Sequence, residues 1–429
     1  MNLRLWHACG PFRGIMRTGG EVREILKNTS HPPTIDLYPR SDGPGSSQDL
    51  PQFLAMGTRV WHGEAKMNDP SWEWSRGSLR TPGACIDGEP IRFRAVASSK
   101  EGGVEYYAPD FHGRPIVATD IVPGVPEQFV NNILVQFGLT GVRIEADPMP
   151  AVYRGTGLGG SNLAHAAALV LASALSGADL SLGQIYAWGT LLENHFGVSR
   201  SRTGDVSYGV SLTGGQEMLT AFQGGMYDNV HVPFLFGPHA VLSRELVPPE
   251  SYNQLENHLV LINLGHRRHS GVTSSGVNSD WMAAWAVPRQ AAKHLQKAEL
   301  AYEGAEALRT IDFDRYANVI RQYRKIRTEL CARYLAGQDE LERLCERYGA
   351  EYFPVGAGGG TCLVCATHED GLKDLVGQVK GSEDHNIGRV VIPFRIRRNG
   401  ISFSGFQQND LTIPSMVTEW DSETENPPY

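Results

Sequence analysis

Apolar residues along the chain repeat with two different spacings, which predict both helices and strands. The stretch 126–138 (PEQFVNNILVQFG) has apolar side chains at the spacing of one helix face. The short β-rich runs 88–99 and 103–109 are separated by a Lys-Glu-Gly turn, which predicts a hairpin. The run 141–148 (GVRIEADP) predicts a strand that leads into a glycine-rich stretch.

The rest of the chain also contains both predicted helices and predicted strands. Ser181 and Gln184 have the spacing of a capping box, which predicts the start of a helix. The run 259–272 predicts a strand that ends in a cationic turn, and 281–349 is helical by pattern and is assigned no chemistry. The run 389–406 predicts a final hairpin around an Asn-Gly pair.

The length of 429 residues is enough for two domains or one two-lobed domain. Residues 1–70 have little periodicity and a cluster of Pro, Ser, Gly and Asp, so we expect a partly ordered extension there. Residues 413–429 are acidic and contain proline, which predicts a disordered tail.

Charge and composition narrow the possible partners. The net charge is −8 and no basic run occurs, so we expect no nucleic-acid partner. The apolar runs are too short for a bilayer span, and the start of the chain has no secretory pattern. We therefore expect a cytoplasmic enzyme with no membrane partner.

The six cysteines are too few for a disulfide framework in a chain of this length. Cys362 and Cys365 form a single C-x-x-C pair inside an apolar run that predicts a strand. Because no second pair accompanies them, we favour buried thiols over a zinc site.

The central feature is the stretch Arg154–Leu169, in which a glycine-rich turn leads into an alanine-rich helix. Gly155, Gly157, Gly159 and Gly160 leave the backbone amides open to a ligand, and a helix N-terminus attracts anions. The turn lacks the lysine of a Walker loop and the βαβ context of a dinucleotide site. The pattern favours a phosphate cradle, and a tight entry into a buried helix is the alternative.

The run Gly157-Leu158-Gly159-Gly160-Ser161-Asn162 resembles the second motif of the GHMP sugar and mevalonate kinases, with Gly160 and Asn162 as departures. The resemblance implies that this run and Gly155 bind the nucleotide. It also implies that the Ser161 hydroxyl binds magnesium together with Glu193, which lies near the end of the next predicted helix. A solvated helix carboxylate is the alternative for Glu193.

Two further stretches extend this resemblance. Thr213–Gly225 is similar to a fucokinase and heptose kinase stretch in which an aspartate is the catalytic base, and Glu217 stands at that position. Two residues before Gln216 are missing from the pattern, and Asp205 is the second candidate for the base. The run 356–360 (GAGGG) resembles the third GHMP motif, which implies that Gly356, Gly358 and Gly359 close over the nucleotide or substrate.

The cationic turn after the strand 259–265 adds a catalytic candidate. Gly265, Arg268 and Ser270 match a turn of the fucose and heptose kinases, and a guanidinium at the end of a strand suits a phosphoryl group. The alternative for Arg268 is a surface ion pair. The first motif of fucokinases is largely absent, since only Trp74-Ser75 and Thr81-Pro82 survive from it.

The resemblance implies an α+β GHMP two-lobe fold, with a ribosomal-protein-like lobe over 71–245 and a ferredoxin-like lobe over 246–412. It implies an ATP- and Mg²⁺-dependent kinase that phosphorylates a small-molecule sugar or sugar phosphate, such as L-fucose or a heptose phosphate. A catalytically weak homologue that senses nucleotide or sugar is the alternative. A decarboxylase of the same superfamily is a further alternative, but no feature of the sequence supports it. The sequence does not indicate an oligomeric state.

Overall fold

The computed structural model describes the chain in separate stretches. These are residues 3–6, 17–37, 40–42, 80–110, 113–122, 128–148, 160–178, 180–186, 189, 198–200, 206–210, 216–232, 240–265, 288–330, 338–355, 360–381 and 390–415. The helices are α1 (Gly19–Asn28), α2 (Phe129–Gln136), α3 (Gly160–Ser176), α4 (182–186), α5 (Gln216–Gln223), α6 (Tyr252–Glu256), α7 (Pro288–Arg309), α8 (Phe313–Leu330), α9 (Asp339–Arg347) and α10 (Glu369–Gly381).

The strands form four sheets within the described residues. The strands are β1 (Leu3–Trp6), β2 (Thr34–Leu37), β3 (Arg40–Asp42), β4 (Arg80–Cys85), β5 (Ile91–Ala97), β6 (Val104–Tyr107), β7 (Ile116–Ala118), β8 (Val142–Ala146), β9 (Val198–Arg200), β10 (Val206–Val210), β11 (Met226–Val232), β12 (Ala240–Glu245), β13 (Leu259–Asn263), β14 (Ala350–Pro354), β15 (Thr361–Ala366), β16 (Val390–Pro393) and β17 (Ser402–Ser404). The strand orders are β17-β2-β5-β8-β6-β7, β1-β12-β11-β4-β3, β14-β15-β13-β16 and β10-β9.

Both predicted hairpins are wrong, although the strands themselves form. In the six-stranded sheet β8 lies between β5 and β6, pairing antiparallel with β5 and parallel with β6. At the end of the chain β16 pairs with β13, whereas β17 pairs with β2 in a different sheet. In each case long-range pairing replaces the local turn that the sequence suggested.

Part of the segment that the sequence analysis treats as an extension lies inside the six-stranded sheet. Helix α1 begins with a capping box in which the Thr18 side chain accepts from the Glu21 backbone and the Glu21 carboxylate accepts from Thr18 N. The buried side chains Val22 and Leu26 face the core, and β2 lies between β5 and β17. The described residues 17–37 are therefore built into the body of the fold.

Helix α3 is the central core element. Ala166–Ala172 are completely buried, and the helix packs against α2, α5 and the strands β2 and β5. Alanine has no side chain beyond Cβ, so neighbouring elements can approach the helix axis closely. The helix is therefore firmly held in the core, and it begins at Gly160, the last glycine of the glycine-rich run.

The four-stranded sheet is antiparallel throughout and carries helices on its surface. Helix α8 packs on β14, where Arg324 Nη1 donates to the Tyr352 carbonyl at 3.1 Å and Nη2 lies 3.2 Å from Glu351 Oε2. The Tyr323 ring meets the Phe353 ring edge-on at 6.3 Å between centroids. These contacts fix α8 on β14, which ends two residues before Gly356.

The end of α5 is held by a close backbone contact with residues near the C-terminus. Gly224 and Gly225 follow the helix with φ of 67° and 68°, a region that favours glycine. Gly225 N donates to the Arg397 carbonyl at 2.6 Å, and Cys85 N donates to the Gly225 carbonyl at 2.9 Å. Gly400 lies against the same turn, so a Cβ there would contact the Phe222 carbonyl.

Replacement of Gly400 should expose how tightly this turn is packed. A Cβ at Gly400 would lie 2.6 Å from Gly224 N, and backbone atoms cannot move away cheaply. Gly400→Ala should lower the free energy of unfolding by about 3 kcal/mol in chemical denaturation. The control Gly377→Ala, inside α10 with open space around its Cβ, should raise it by about 0.5–1 kcal/mol. Wild-type stability in Gly400→Ala would contradict the tight packing.

Candidate functional site

The nucleotide-site candidates lie at the start of α3, which begins at Gly160 within the glycine run. Ser161 and Asn162 occupy the first turn of the helix, and their side chains lie outside the described structure. Gly155, Gly157, Leu158 and Gly159 also lie outside it. The first amides of a helix have no partner within the helix, and the helix dipole makes this end positive. The position of α3 therefore suits an anionic group.

An aromatic contact helps to fix the first turns of α3. His165 stacks on Phe129 of α2, with ring centroids 3.5 Å apart and an interplanar angle of 19°. Because Phe129 is 4% exposed and Leu163 is 1% exposed, this end of the helix is packed and cannot rotate freely. A rigid helix start is what a phosphate cradle needs, but a tight entry into a buried helix requires it as well.

The proposed base lies on α5, which starts at Gln216. Glu217 is in the first turn of this helix, and its side chain lies outside the described structure. Met218 is fully buried, and a Cβ added at Gly189 would lie 2.6 Å from its sulfur atom. The helix is thus anchored at Met218 and at its C-terminal turn. The helix dipole favours an ionised carboxylate at position 217.

Two further predicted segments are brought together by the four-stranded sheet. At the end of β13, Leu264 N donates to the Gly360 carbonyl at 2.9 Å, and Gly265 N donates to Asn263 Oδ1 at 2.9 Å. Asn263 is opposite Thr361, the first residue of β15. The cationic turn after β13 therefore begins beside Gly360, the last residue of the glycine-rich turn before β15.

The predicted site residues on these two turns are one arginine and three glycines. Arg268 and the glycines Gly356, Gly358 and Gly359 lie outside the described residues. The described residues Val355 and Gly360 flank the glycine-rich turn, and the described residue Gly265 precedes the cationic turn. In sequence, Arg268 follows Leu264, which makes the backbone hydrogen bond to Gly360, by four residues.

The metal candidates have less structural context. Glu193 lies outside the described residues, but the helix that leads to it begins as predicted. Ser181 N donates to Gln184 Oε1 at 2.9 Å and Gln184 N donates to Ser181 Oγ at 3.3 Å, which confirms the capping box. In the described part of the chain, no group of three or more His, Cys, Asp or Glu could hold a metal ion.

The prediction for the C-x-x-C pair is confirmed. Cys362 and Cys365 are free and fully buried in β15. Burial raises the pKa of both thiols far above the usual value, so neither forms a reactive thiolate near neutral pH.

Sequence reasoning missed several buried polar side chains in the C-terminal half of the chain. Lys297 of α7 and Arg327 of α8 are 3% and 1% exposed, and Gln338 and Thr361 are 1% and 0% exposed. Arg327 falls on the apolar stripe of α8 that includes Tyr323 and Leu330, spaced like one helix face. That position was the available signal, because a cation within an apolar stripe is buried when the stripe packs.

No protein-family model matches the sequence, and no curated protein matches it. Similar solved structures do exist. The Lin0012 protein from Listeria innocua has a TM-score of 0.62 and 14% identity, covering 87% of this chain and 99% of its own. Galactokinase from Lactococcus lactis, solved with galactose, has a TM-score of 0.58 and 13% identity, covering 90% and 98%.

A third solved structure is similar over nearly the same length. The D-glycero-D-manno-heptose 1-phosphate kinase from Bacteriodes thetaiotaomicron has a TM-score of 0.53 and 14% identity, covering 87% of this chain and 99% of its own. In the described residues, no helix combines the length and apolarity needed to cross a membrane. The structural neighbours are GHMP-family kinases, and this chain has the mixed helix and sheet fold of the GHMP kinases.

Proposed function

We propose that this protein is an ATP-dependent kinase that transfers the γ-phosphate to a hydroxyl of a sugar, either an L-fucose-like monosaccharide or a heptose phosphate. The observation that carries the proposal is the start of the buried helix α3 at Gly160, inside a glycine run that resembles the GHMP phosphate-binding motif. The fold supports it, since galactokinase and a heptose phosphate kinase are among the structures that share it. The lobes of such an enzyme would span 71–245 and 246–412.

The nucleotide would be held by backbone atoms of the two glycine-rich stretches. ATP supplies the phosphoryl group, and Mg²⁺ neutralises charge on its phosphates. Amides of Gly155, 157–160 and the first turn of α3 would bind the phosphates, with Gly356, Gly358 and Gly359 on the opposite side. Ser161 and Glu193 would hold the metal ion.

Two side chains would act on the transfer itself. Glu217 would accept the proton of the acceptor hydroxyl, from the first turn of a helix whose far end is fixed by Gly224 and Gly225. Arg268 would stabilise the negative charge that spreads over the transferring group. The described bond between Leu264 and Gly360 supports this role, because it joins the strand that precedes Arg268 to the last residue of the glycine-rich turn 356–360.

Release of ADP in the presence of Mg²⁺ and a panel of acceptors tests the proposal. The panel should contain free hexoses, 6-deoxyhexoses and heptoses beside their phosphates, so that each acceptor has a partner differing by one group. We expect ADP release with a member of one such pair of sugar and sugar phosphate, and no ADP release with polyols that lack a ring. Absence of acceptor-dependent ADP release across the whole panel would contradict an active sugar kinase.

A nucleotide- or sugar-binding sensor is the second candidate. It is favoured by the glutamate at position 217, where the resembled kinases have aspartate, and by the two residues missing before Gln216. Calorimetric binding of ATP and sugar without any ADP release would identify the sensor. ADP release that depends on the sugar would exclude it.

The role of Arg268 is tested by a change that keeps its charge. Arg268→Lys removes the planar guanidinium, so loss of a bidentate phosphate contact should lower kcat/KM by about tenfold to a hundredfold. The neighbouring Arg267→Lys provides a matched control and should leave kcat/KM within about twofold of wild type. Wild-type kinetics in Arg268→Lys would instead indicate a surface arginine.

A further inference from the structure

Gly189 lies where three helical segments of the candidate site meet. The residue is helical and buried, and it follows α4 by three residues in sequence. A Cβ built on it would lie 2.6 Å from the sulfur atom of Met218 on α5 and 3.0 Å from Cδ1 of Leu169 on α3. The segments can approach each other this closely only because position 189 has no side chain.

The atoms around Gly189 have little room to move aside. Met218 and Leu169 are both 0% exposed, and the next turn of each helix is buried as well, at Phe222 and Ala172. The end of a methionine side chain is flexible, but a packed interior has few voids into which it could move. An added methyl group at position 189 therefore displaces a helix as well as the Met218 side chain.

Helix α5 is the less firmly held of the two partners. It has eight residues, against 17 in α3, and α3 also packs on α2, β2 and β5. The described backbone bonds hold α5 at its C-terminal end, where Gly225 N donates to the Arg397 carbonyl at 2.6 Å. Met218 lies in the first turn, at the opposite end, so pressure on its side chain tilts that turn. Position 217 precedes Met218 in the same turn and moves with it.

We propose that Gly189 is a positioning residue, which sets the place of the first turn of α5 and therefore of Glu217. This inference rests on the proposed function, in which Glu217 accepts the proton of the acceptor hydroxyl. A displacement of roughly 1 Å at a reacting group can cost about a hundredfold in rate. The close contact at Gly189 would therefore be a condition for fast transfer.

The same contact leaves the nucleotide end of α3 unaffected. Gly160 precedes Leu169 by nine residues, which is about 13 Å along a helix. Between them His165 stacks on Phe129, with ring centroids 3.5 Å apart, and holds the first turns of α3 in place. Crowding at Gly189 should therefore lower the rate of transfer without weakening the binding of ATP.

Gly189→Ala tests this separation of rate from binding. The value of kcat should fall at least about tenfold, because the base is displaced, and the Kd of ATP should stay within about twofold of the wild type. The rate is measured as ADP release with Mg²⁺ and the most active acceptor of the panel, and the Kd by calorimetry with ATP alone. Division of the rate by the folded fraction, taken from circular dichroism, removes the effect of lost stability.

A change in the contacting side chain should reverse the effect. Met218→Val removes the sulfur and the methyl group that a Cβ at position 189 would meet, so the contact becomes loose and kcat should fall by about threefold or more. In that background Gly189→Ala fills the space again and should raise kcat to within about twofold of the wild type. The comparison of Met218→Val with the double variant decides the question even where Gly189→Ala alone does not fold.

Gly371→Ala is the matched control for crowding elsewhere in the fold. A Cβ at Gly371 of α10 would lie 2.5 Å from the carbonyl oxygen of Tyr348. The variant should lower the melting temperature, because a backbone atom must move, and it should leave kcat within about twofold of the wild type. It shows whether loss of packing by itself slows the reaction.

Three results with an active wild-type protein overturn this inference and leave the proposed function standing. The first is a folded Gly189→Ala protein with wild-type kcat, and the second is a Kd of ATP that rises by the same factor as kcat falls. The third is a double variant that is no faster than Met218→Val, or that does not fold. A wild-type protein that transfers no phosphate would overturn the proposed function, and with it the role of Gly189, before any variant is made.

Discussion

Glu217→Gln is expected to abolish phosphate transfer while ATP still binds. The neutral amide has nearly the shape of the carboxylate but cannot accept the proton of the acceptor hydroxyl. Loss of a positioned general base typically costs about 10²–10⁴-fold in rate, so kcat should fall by that amount and the Kd of ATP should stay within about twofold. Single-turnover kinetics and calorimetry measure the two quantities separately.

The matched variant is Glu217→Asp, which restores the residue of the resembled kinases. The extra methylene of glutamate moves the carboxylate by roughly 1 Å, a displacement that can cost about a hundredfold in rate. If the two residues missing before Gln216 compensate for this length, Glu217→Asp should be slower than the wild type. If they do not, it should be faster. Full activity in Glu217→Gln would show that the base is another residue, and Asp205 is then the one to replace.

Gly159→Val is expected to abolish ATP binding and to leave the fold intact. A branched Cβ in the glycine run would occupy the space that a phosphate needs next to the backbone amides. Helix α3 begins after this position and is held by its own packing, so the core should persist. The Kd of ATP should rise by at least about a hundredfold in calorimetry, with an unchanged circular dichroism spectrum.

This prediction separates the two interpretations of the glycine run. Burial of α3 fits a phosphate cradle and also fits a tight entry into a core helix. Gly113→Val is a suitable control, because nothing lies within 4 Å of a Cβ at that position. A Gly159→Val protein that is folded and binds ATP like the wild type would show that the run is a structural turn. A protein that unfolds would point the same way.

The sequence predicted those elements whose signals are local. The apolar spacing of 126–138 became α2, and the run 141–148 became β8. The capping box of Ser181 and Gln184 and the strand β13 also formed as predicted. In each of these cases the signal is a pattern of apolar or capping residues within one short stretch of the sequence.

The sequence pattern did not predict which distant strands pair with each other. The Asn-Gly pair at 399–400 is a strong hairpin signal, yet Gly400 instead packs against the end of α5. Residues 34–37 have little periodicity by themselves, but β2 gains partners on both sides, 54 and 366 residues or more away in sequence, from β5 and β17. Such pairings join residues that are far apart in sequence, so no local pattern predicts them.

The candidate site was only partly accessible to sequence reasoning. Glycine runs and short motifs pointed to α3, α5 and the turns at 265 and 356–360, because a motif is a local pattern. Lys297 and Arg327 are ordinary helix residues by pattern, and 281–349 was assigned no chemistry. Their burial follows from the packing of α7 on α8 and of α8 on β14, which the sequence pattern does not show.

The central claim, that this protein moves the γ-phosphate of ATP to a sugar hydroxyl, is tested most directly by following the labelled γ-phosphate. Wild-type protein is incubated with γ-labelled ATP, Mg²⁺ and the acceptor pairs, and the products are separated. The account predicts that the label appears in a sugar phosphate ester whenever the correct acceptor is present. Label that stays in ATP, or leaves only as inorganic phosphate with every acceptor, would contradict it.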